Sequence, residues 1–262
     1  EEVVIEEEEV EEDLEVDLFK AMQNISSFFI EAEIEVLGKI GKDFNLSVFA
    51  DISTDYKGKK IKSDISANIF IEEDYFETDL DLIFSEEVLY FKINPFPLEI
   101  IMGKEELSID FINNVWIAIE EDVQSEEDKW ELFLGVIQKD DFYEKEKVSE
   151  SSELVQYKVV FNEEAIVDLV LILDETYTRE MALEDIPKFR DELFFNIWIN
   201  KESGYLERVF FENYLMVDDE ELYLSINLQF SQFNEEFVFI VPEEYKRLEE
   251  VMEELFGLVF AF

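Results

Sequence analysis

The sequence predicts an α+β fold: a curved antiparallel half-barrel sheet whose apolar concave face is covered by helices. Three observations lead there. Residues 28–93 alternate apolar and polar at period two through five successive stretches separated by short turns, which is the pattern of an antiparallel meander with one greasy and one wet face. A second period-two region follows at 190–241. Stretches at 8–23, 125–139, 163–173 and 243–256 instead space apolar residues three and four apart, as helices do.

The elements follow in order. Val10, Leu14, Leu18, Ala21 and Ile25 make one face of an N-terminal helix at 8–23, and Asn24, Ser26 and Ser27 end it. The first strand points Phe28, Ile30, Ala32, Ile34 and Val36 one way and Glu31, Glu33 and Glu35 the other. After a turn from Gly38 to Gly41, the second strand sets Phe44, Leu46, Val48, Ala50 and Ile52 against Asn45, Ser47, Asp51 and Ser53. Asp55 to Gly58 turns the chain, and the basic residues there (Lys57, Lys59, Lys60, Lys62) read as a hairpin tip. The third strand carries Ile61, Ile65, Ala67, Ile69 and Ile71, the fourth Phe76, Leu80, Leu82 and Phe84, and the fifth spans Val88 to Ile93.

Pro95 and Pro97 interrupt the sheet because neither has a ladder N–H. Residues 95–175 are expected to form a helical lid region. Within it lie a short strand at Trp116–Ile119 and a helix capped by Ser125 that presents Trp130, Phe133, Leu134 and Ile137. A polar loop at 139–152, a strand at 152–161 and a helix capped by Asn162 follow. Residues 163–173 are apolar all round, which implies burial on more than one side. The second meander, 190–241, alternates at Leu193, Phe195, Ile197 and Ile199, turns at Asn200–Gly204, returns over Tyr205–Leu215, and alternates again at Leu222, Leu224, Ile226, Leu228 and Phe230. Phe237–Val241 reads as a final strand, and Pro242 as the opening of a helix over 243–256 that ends at Gly257. No repeat or low-complexity linker divides the chain, so residues 1–262 are expected to form one domain.

Composition narrows the chemistry. The 262 residues carry 21 Lys and Arg against 68 Asp and Glu, a formal charge of −47, with neither His nor Cys. That excludes thiol nucleophiles, disulfides, imidazole bases and Cys/His zinc sites. A nucleic-acid duplex or an anionic bilayer would be repelled. No window approaches the length of a membrane-spanning helix, and the Glu-rich N-terminus is the opposite of a signal peptide. The apolar C-terminus, Leu255 to Phe262, reads as a docked tail. Glu77, Asp79 and Asp81 share a strand face and read either as a solvated sheet surface or as a row for a hard cation. With so many acids, a carboxylate pair for glycoside hydrolysis carries no specificity. The expectation is therefore no enzyme, no cofactor, no metal and no nucleic-acid partner, with a monomer favoured.

The informative feature is the apolar inventory. Phe occurs 26 times and aromatic residues make up 15%. A greasy sheet face must either be filled by the covering helices or enclose a ligand. The second alternative is a cavity for an acyl chain or other lipid. Its candidate lining is Ile30, Ile34, Leu46, Val48, Ile65, Ile69, Leu80, Leu82, Phe96, Phe133, Leu169, Phe195, Ile197, Leu224 and Ile226. The first alternative is a structural or designed scaffold with a filled core and no ligand.

Several stretches carry a family resemblance: Asn24-Ile25-Ser26-Ser27-Phe28, Val88 to Asn94, Val115 to Ile119, Tyr157-Lys158-Val159 with Asn162-Glu163-Glu164, and Asn196 to Leu206. In style and order they resemble bacterial lipoproteins of the LolA/LppX-like superfamily over most of the chain. The resemblance implies an antiparallel half-barrel with a helical lid, binding of lipid or lipoprotein acyl chains, and a place in the bacterial cell envelope or outside the cell. The chain departs from the family in lacking a lipidated Cys and a basic surface. The regular Glu at outward positions fits a salt-adapted surface or a computationally redesigned member.

Overall fold

The computed structural model describes residues 25–40, 42–55, 58–72, 74–86, 88–95, 112–120, 143–173, 176, 178–185, 193–217 and 220–259. The expected helices at 8–23 and 125–139 lie outside these residues. So do Phe96 and Phe133.

One sheet dominates. Its strands are β1 (Ser27–Ile40), β2 (Lys42–Asp55), β3 (Lys60–Ile71), β4 (Asp74–Ser85), β5 (Val88–Asn94), β6 (Ile117–Glu120), β7 (Tyr143–Glu150), β8 (Leu154–Phe161), β9 (Phe194–Asn200), β10 (Leu206–Val217), β11 (Glu220–Ser231) and β12 (Lys246–Arg247). They form a single 12-stranded sheet in the order β12-β6-β5-β4-β3-β2-β1-β11-β10-β9-β8-β7. Neighbours pair antiparallel throughout except β12 with β6, which is parallel. The two end strands do not pair with each other, so the sheet is unclosed. The N-terminal meander and the second meander join side by side through β1 and β11, from Phe29 opposite Ser231 to Gly38 opposite Leu222.

The fold is therefore mostly β, a correction to the α+β expectation. The helices described are α1 (Glu163–Leu173), α2 (Arg179–Asp185) and α3 (Leu248–Val259). Asn162 caps α1 as its sequence implies: its side-chain oxygen accepts from the Glu164 amide at 3.0 Å. Val167 is fully buried, and α1 packs chiefly on α2 while α3 packs on β6 and β12. Among the described residues these helices do not cover the apolar face as a layer.

Three local expectations need correction. Residues 139–152 are not all loop, because 143–150 form edge strand β7. Its Glu and Lys alternate without an apolar face, so no hydrophobic period marks it, and charge is how exposed edges resist stray pairing. Of the strands within 95–175, β6 and β8 fall where the short strands at Trp116–Ile119 and 152–161 are expected, and β7 is the addition. Phe237–Val241 is extended but joins no ladder. It carries the chain from the start of β1, where the Asn234 amide donates to the Ser27 carbonyl at 2.8 Å, to β6, where the Lys246 amide donates to the Trp116 carbonyl at 2.8 Å. Its alternation comes from one-sided packing: Val241 rests on Ile83, Tyr90 and Ala118, while Val238 and Ile240 are 78% and 74% exposed. The last helix consequently starts at Leu248 rather than at Pro242.

Gly38 is required where β1 meets β11. A Cβ there would lie 2.4 Å from Leu222 Cδ2 and 2.7 Å from the Glu221 carbonyl oxygen, closer than real contacts allow.

Candidate functional site

Residues directly opposite in an antiparallel pair point to the same face, so the register alone assembles the site. Ile34 lies opposite Val48 on β2 and Ile226 on β11. Val36 lies opposite Leu46 and Leu224, and Ile30 opposite Ile52 and Phe230. Leu46 continues to Ile69, Ala50 to Ile65, and Ile65 to Leu80. Ser63 pairs with Leu82, and Leu82 with Phe91. On the far side Leu228 pairs with Val209, Val209 with Ile197, and Phe195 with Val159. Of the expected lining residues, Ile30, Ile34, Leu46, Val48, Ile65, Ile69, Leu80, Leu82, Phe195, Ile197, Leu224 and Ile226 thus share one continuous apolar face. Leu169 falls in α1, and its side chain lies outside the described set, as do Phe96 and Phe133 entirely.

The face has two regions of different burial. Toward the β7 edge Val155, Tyr157, Val159, Ile197 and Ile199 form a closed cluster, with Ile199 only 1% and Val159 only 3% exposed. Phe161, Phe195 and Phe211 extend it, with ring centroids 5.1 and 4.8 Å apart in sequence. Across β1–β4 and β11, by contrast, Ile34, Leu46, Val48, Ile65, Ile69, Leu80, Leu224 and Ile226 are all half-buried, and Ile61 is 42% exposed. The floor here is uneven. Ala32 stands opposite Ala50, and Ala67 opposite Val48, so a dip runs between the larger side chains around them.

Sequence reasoning passed over Ser63. It is a serine at an apolar position, between Ile61 and Ile65 along β3 and between Ile52 and Leu82 across the sheet. It is 3% exposed, and its hydroxyl has no hydrogen-bond partner among the described residues. Its polar type on the apolar phase of β3 was the available signal.

The opposite face is acidic. Glu31, Asp51, Asp64 and Asp81 stand in one cross-strand row that Lys92 ends, and Lys92 forms an ion pair with Asp81. A depression of about 360 Å³ lies on this side, walled by Asp51, Asp64, Asp79 and Asp81. The three acids read as a possible cation row are engaged locally. Asp79 accepts from the Ser66 hydroxyl at 2.7 Å, Glu77 accepts from the Tyr75 hydroxyl at 3.3 Å, and Asp81 holds Lys92. No group of three metal-ligating side chains occurs among the described residues. At the β7 edge, hydrogen bonds from Lys147 and then Lys201 hold the Glu150 carboxyl at a pKa of about 2.

No family model matches the sequence, and no curated protein matches it. Among solved structures the chain is similar to a beta-barrel-like protein of the domain of unknown function DUF1849 from Brucella abortus. The identity is 9% and the TM-score 0.25, over 79% of this chain and 100% of the other. Among the described residues no helix is long and apolar enough to cross a membrane.

Proposed function

We propose that the half-open apolar face across β1–β4 and β11 binds the acyl chain of a lipid, and that the protein acts as a binder or carrier rather than a catalyst. One observation carries this reading: Ile34, Leu46, Val48, Ile65, Ile69 and Leu80 are contiguous, apolar and only half-buried. A filled core would bury them as it buries Ile199. Leaving apolar area in water costs about 25 cal/mol per Å², and contiguous patches of this kind mark binding surfaces. The Ala32–Ala50 dip gives a flexible chain room between branched neighbours. The resemblance to LolA/LppX-like lipoproteins points to the same ligand class and, with it, to the bacterial cell envelope or the extracellular space.

The test is native mass spectrometry of gently purified protein, followed by titration of delipidated protein with a fluorescent long-chain acyl probe. A co-purifying lipid and saturable probe binding support the reading. Ala50→Trp, which fills the dip, should abolish probe binding while the far-ultraviolet dichroism stays unchanged. A clean apo mass together with no probe binding would leave a scaffold without a ligand as the better account.

A further inference from the structure

We infer that Ser63 is the polar anchor of the acyl site, donating its hydroxyl proton to the carbonyl oxygen of a neutral acyl ester. This deepens the acyl-binding reading and rests on it. Ser63 is 97% buried, and a buried hydroxyl without a partner among the described residues is costly, because its water hydrogen bonds are lost and not replaced. Such groups are rare in folded proteins and call for a specific reason. A buried water does not supply one, since it needs two or more polar partners, and the cross-strand and same-face neighbours of Ser63 are Ile52, Leu82, Ile61 and Ile65.

The placement fits an ester that enters at the Ile61 end. Ile61, two residues from Ser63 on the same face, is 42% exposed, so a headgroup there stays in water. Ala50 is the diagonal neighbour of Ser63, because Ile52 pairs with Ser63 and Ala50 with Ile65. A chain whose carbonyl sits at Ser63 therefore continues into the Ala50–Ala32 dip. The choice of carbonyl follows from hydrogen-bond capacity. A ligand hydroxyl brings both a donor and an acceptor that the apolar surroundings leave half unmet, whereas a carbonyl brings an acceptor alone, which one serine satisfies. A free carboxylate is disfavoured by burial beside Ile52 and Leu82 in a chain of net charge −47.

The experiment compares monopalmitoyl glycerol with its ether counterpart, hexadecyl glycerol, and with palmitate, on wild type, Ser63→Ala and Ser63→Thr. Wild type should bind the ester roughly three- to tenfold more tightly than the ether, the range expected for one net hydrogen bond. Palmitate should bind more weakly than the ester near neutral pH. Ser63→Ala should lose the ester preference while its ether affinity stays unchanged, and Ser63→Thr, which keeps the hydroxyl, should retain the preference. Equal ester and ether binding by wild type, a preference that survives in Ser63→Ala, or palmitate binding as tightly as the ester would overturn the Ser63 assignment and leave the acyl site standing. Binding of none of the three ligands to wild type would overturn the acyl reading itself, and the assignment with it.

Discussion

Asp51 on β2 stands directly opposite Asp64 on β3, and Glu31 stands opposite Asp51 on its other side. Like charges in directly opposed positions destabilise a sheet by a few tenths of a kcal/mol to about 1 kcal/mol per pair. Lys62 offsets part of this by contacting Asp64 at 2.6 Å, but both groups are well exposed and the pair is worth little. Asp51→Lys turns two repulsive pairs into attractive ones. It should stabilise the protein by about 1 kcal/mol and raise Tm by roughly 2–4 °C. Calorimetry in low salt measures this. In wild type, several hundred millimolar salt should also raise Tm by screening the row. An unchanged melt in both comparisons would contradict the repulsion argument.

The two burial regimes of the apolar face predict unequal truncation costs. Ile199 is 1% exposed, so Ile199→Ala should cost about 2–4 kcal/mol, transfer and cavity terms together. Ile34 is half-buried, and Ile34→Ala should cost less, about 1–2 kcal/mol, because part of its side chain already meets water. Urea unfolding of both variants decides the matter. Equal costs would mean that the central face is packed as tightly as the closed cluster.

Glu150 ties the edge strand to the 201–203 turn through Lys201, and pairs with Lys147 within the strand. Its folded pKa is depressed from 4.5 to about 2. A depressed carboxylate pKa means that the unfolded chain takes up protons first. The tie therefore contributes fully above pH 4.5 and is lost as pH falls from there toward 2. Glu150→Gln should mimic the acid state at neutral pH. Protection of the 143–150 amides, taken relative to their intrinsic exchange rates at each pH, should fall in the variant at neutral pH and, in wild type, only on acidification through that window. Unchanged exchange in the variant would show that the edge is held otherwise.

Much of this architecture is legible in the sequence, and the failures have physical causes. The five strands from Ser27 to Asn94 emerge because one face is apolar at period two, so a slip of one residue would turn most of its Ile and Leu to the other face. β7 is missed because an edge strand with charge on both faces has no hydrophobic period. Phe237–Val241 misleads because an extended segment lying on a sheet end buries alternate residues without any ladder. The lining residues on β1–β4 and β11 are legible for the same reason as the strands, while Ser63 shows in the sequence only as a polar residue on the apolar phase of β3, and its burial without a partner among the described residues shows only in the structure. The tight turns at Glu72 and Glu86 are legible only as breaks in period, since neither carries Gly or Asn.

Those turns yield a further prediction. Glu72 and Glu86 adopt φ of 57° and 55°, a left-handed conformation that costs an ordinary side chain roughly 1–2 kcal/mol and is eased for Asn. Glu72→Asn and Glu86→Asn should each stabilise the meander by about 0.5 kcal/mol and add nearly independently. Thermal melts of the singles and the double variant measure this. A loss of stability would show that the glutamate side chains contribute more than the backbone strain they carry.

The most direct test of the acyl-binding account is photo-crosslinking with a palmitoyl ester bearing a diazirine midway along its chain, followed by peptide mass spectrometry. The account places the adducts on the half-open face, at Leu46, Val48, Ile65 and neighbouring apolar positions, and expects them to be lost in Ala50→Trp. Adducts confined to the acidic face around Asp51 and Asp64, or none at saturating probe, would contradict it.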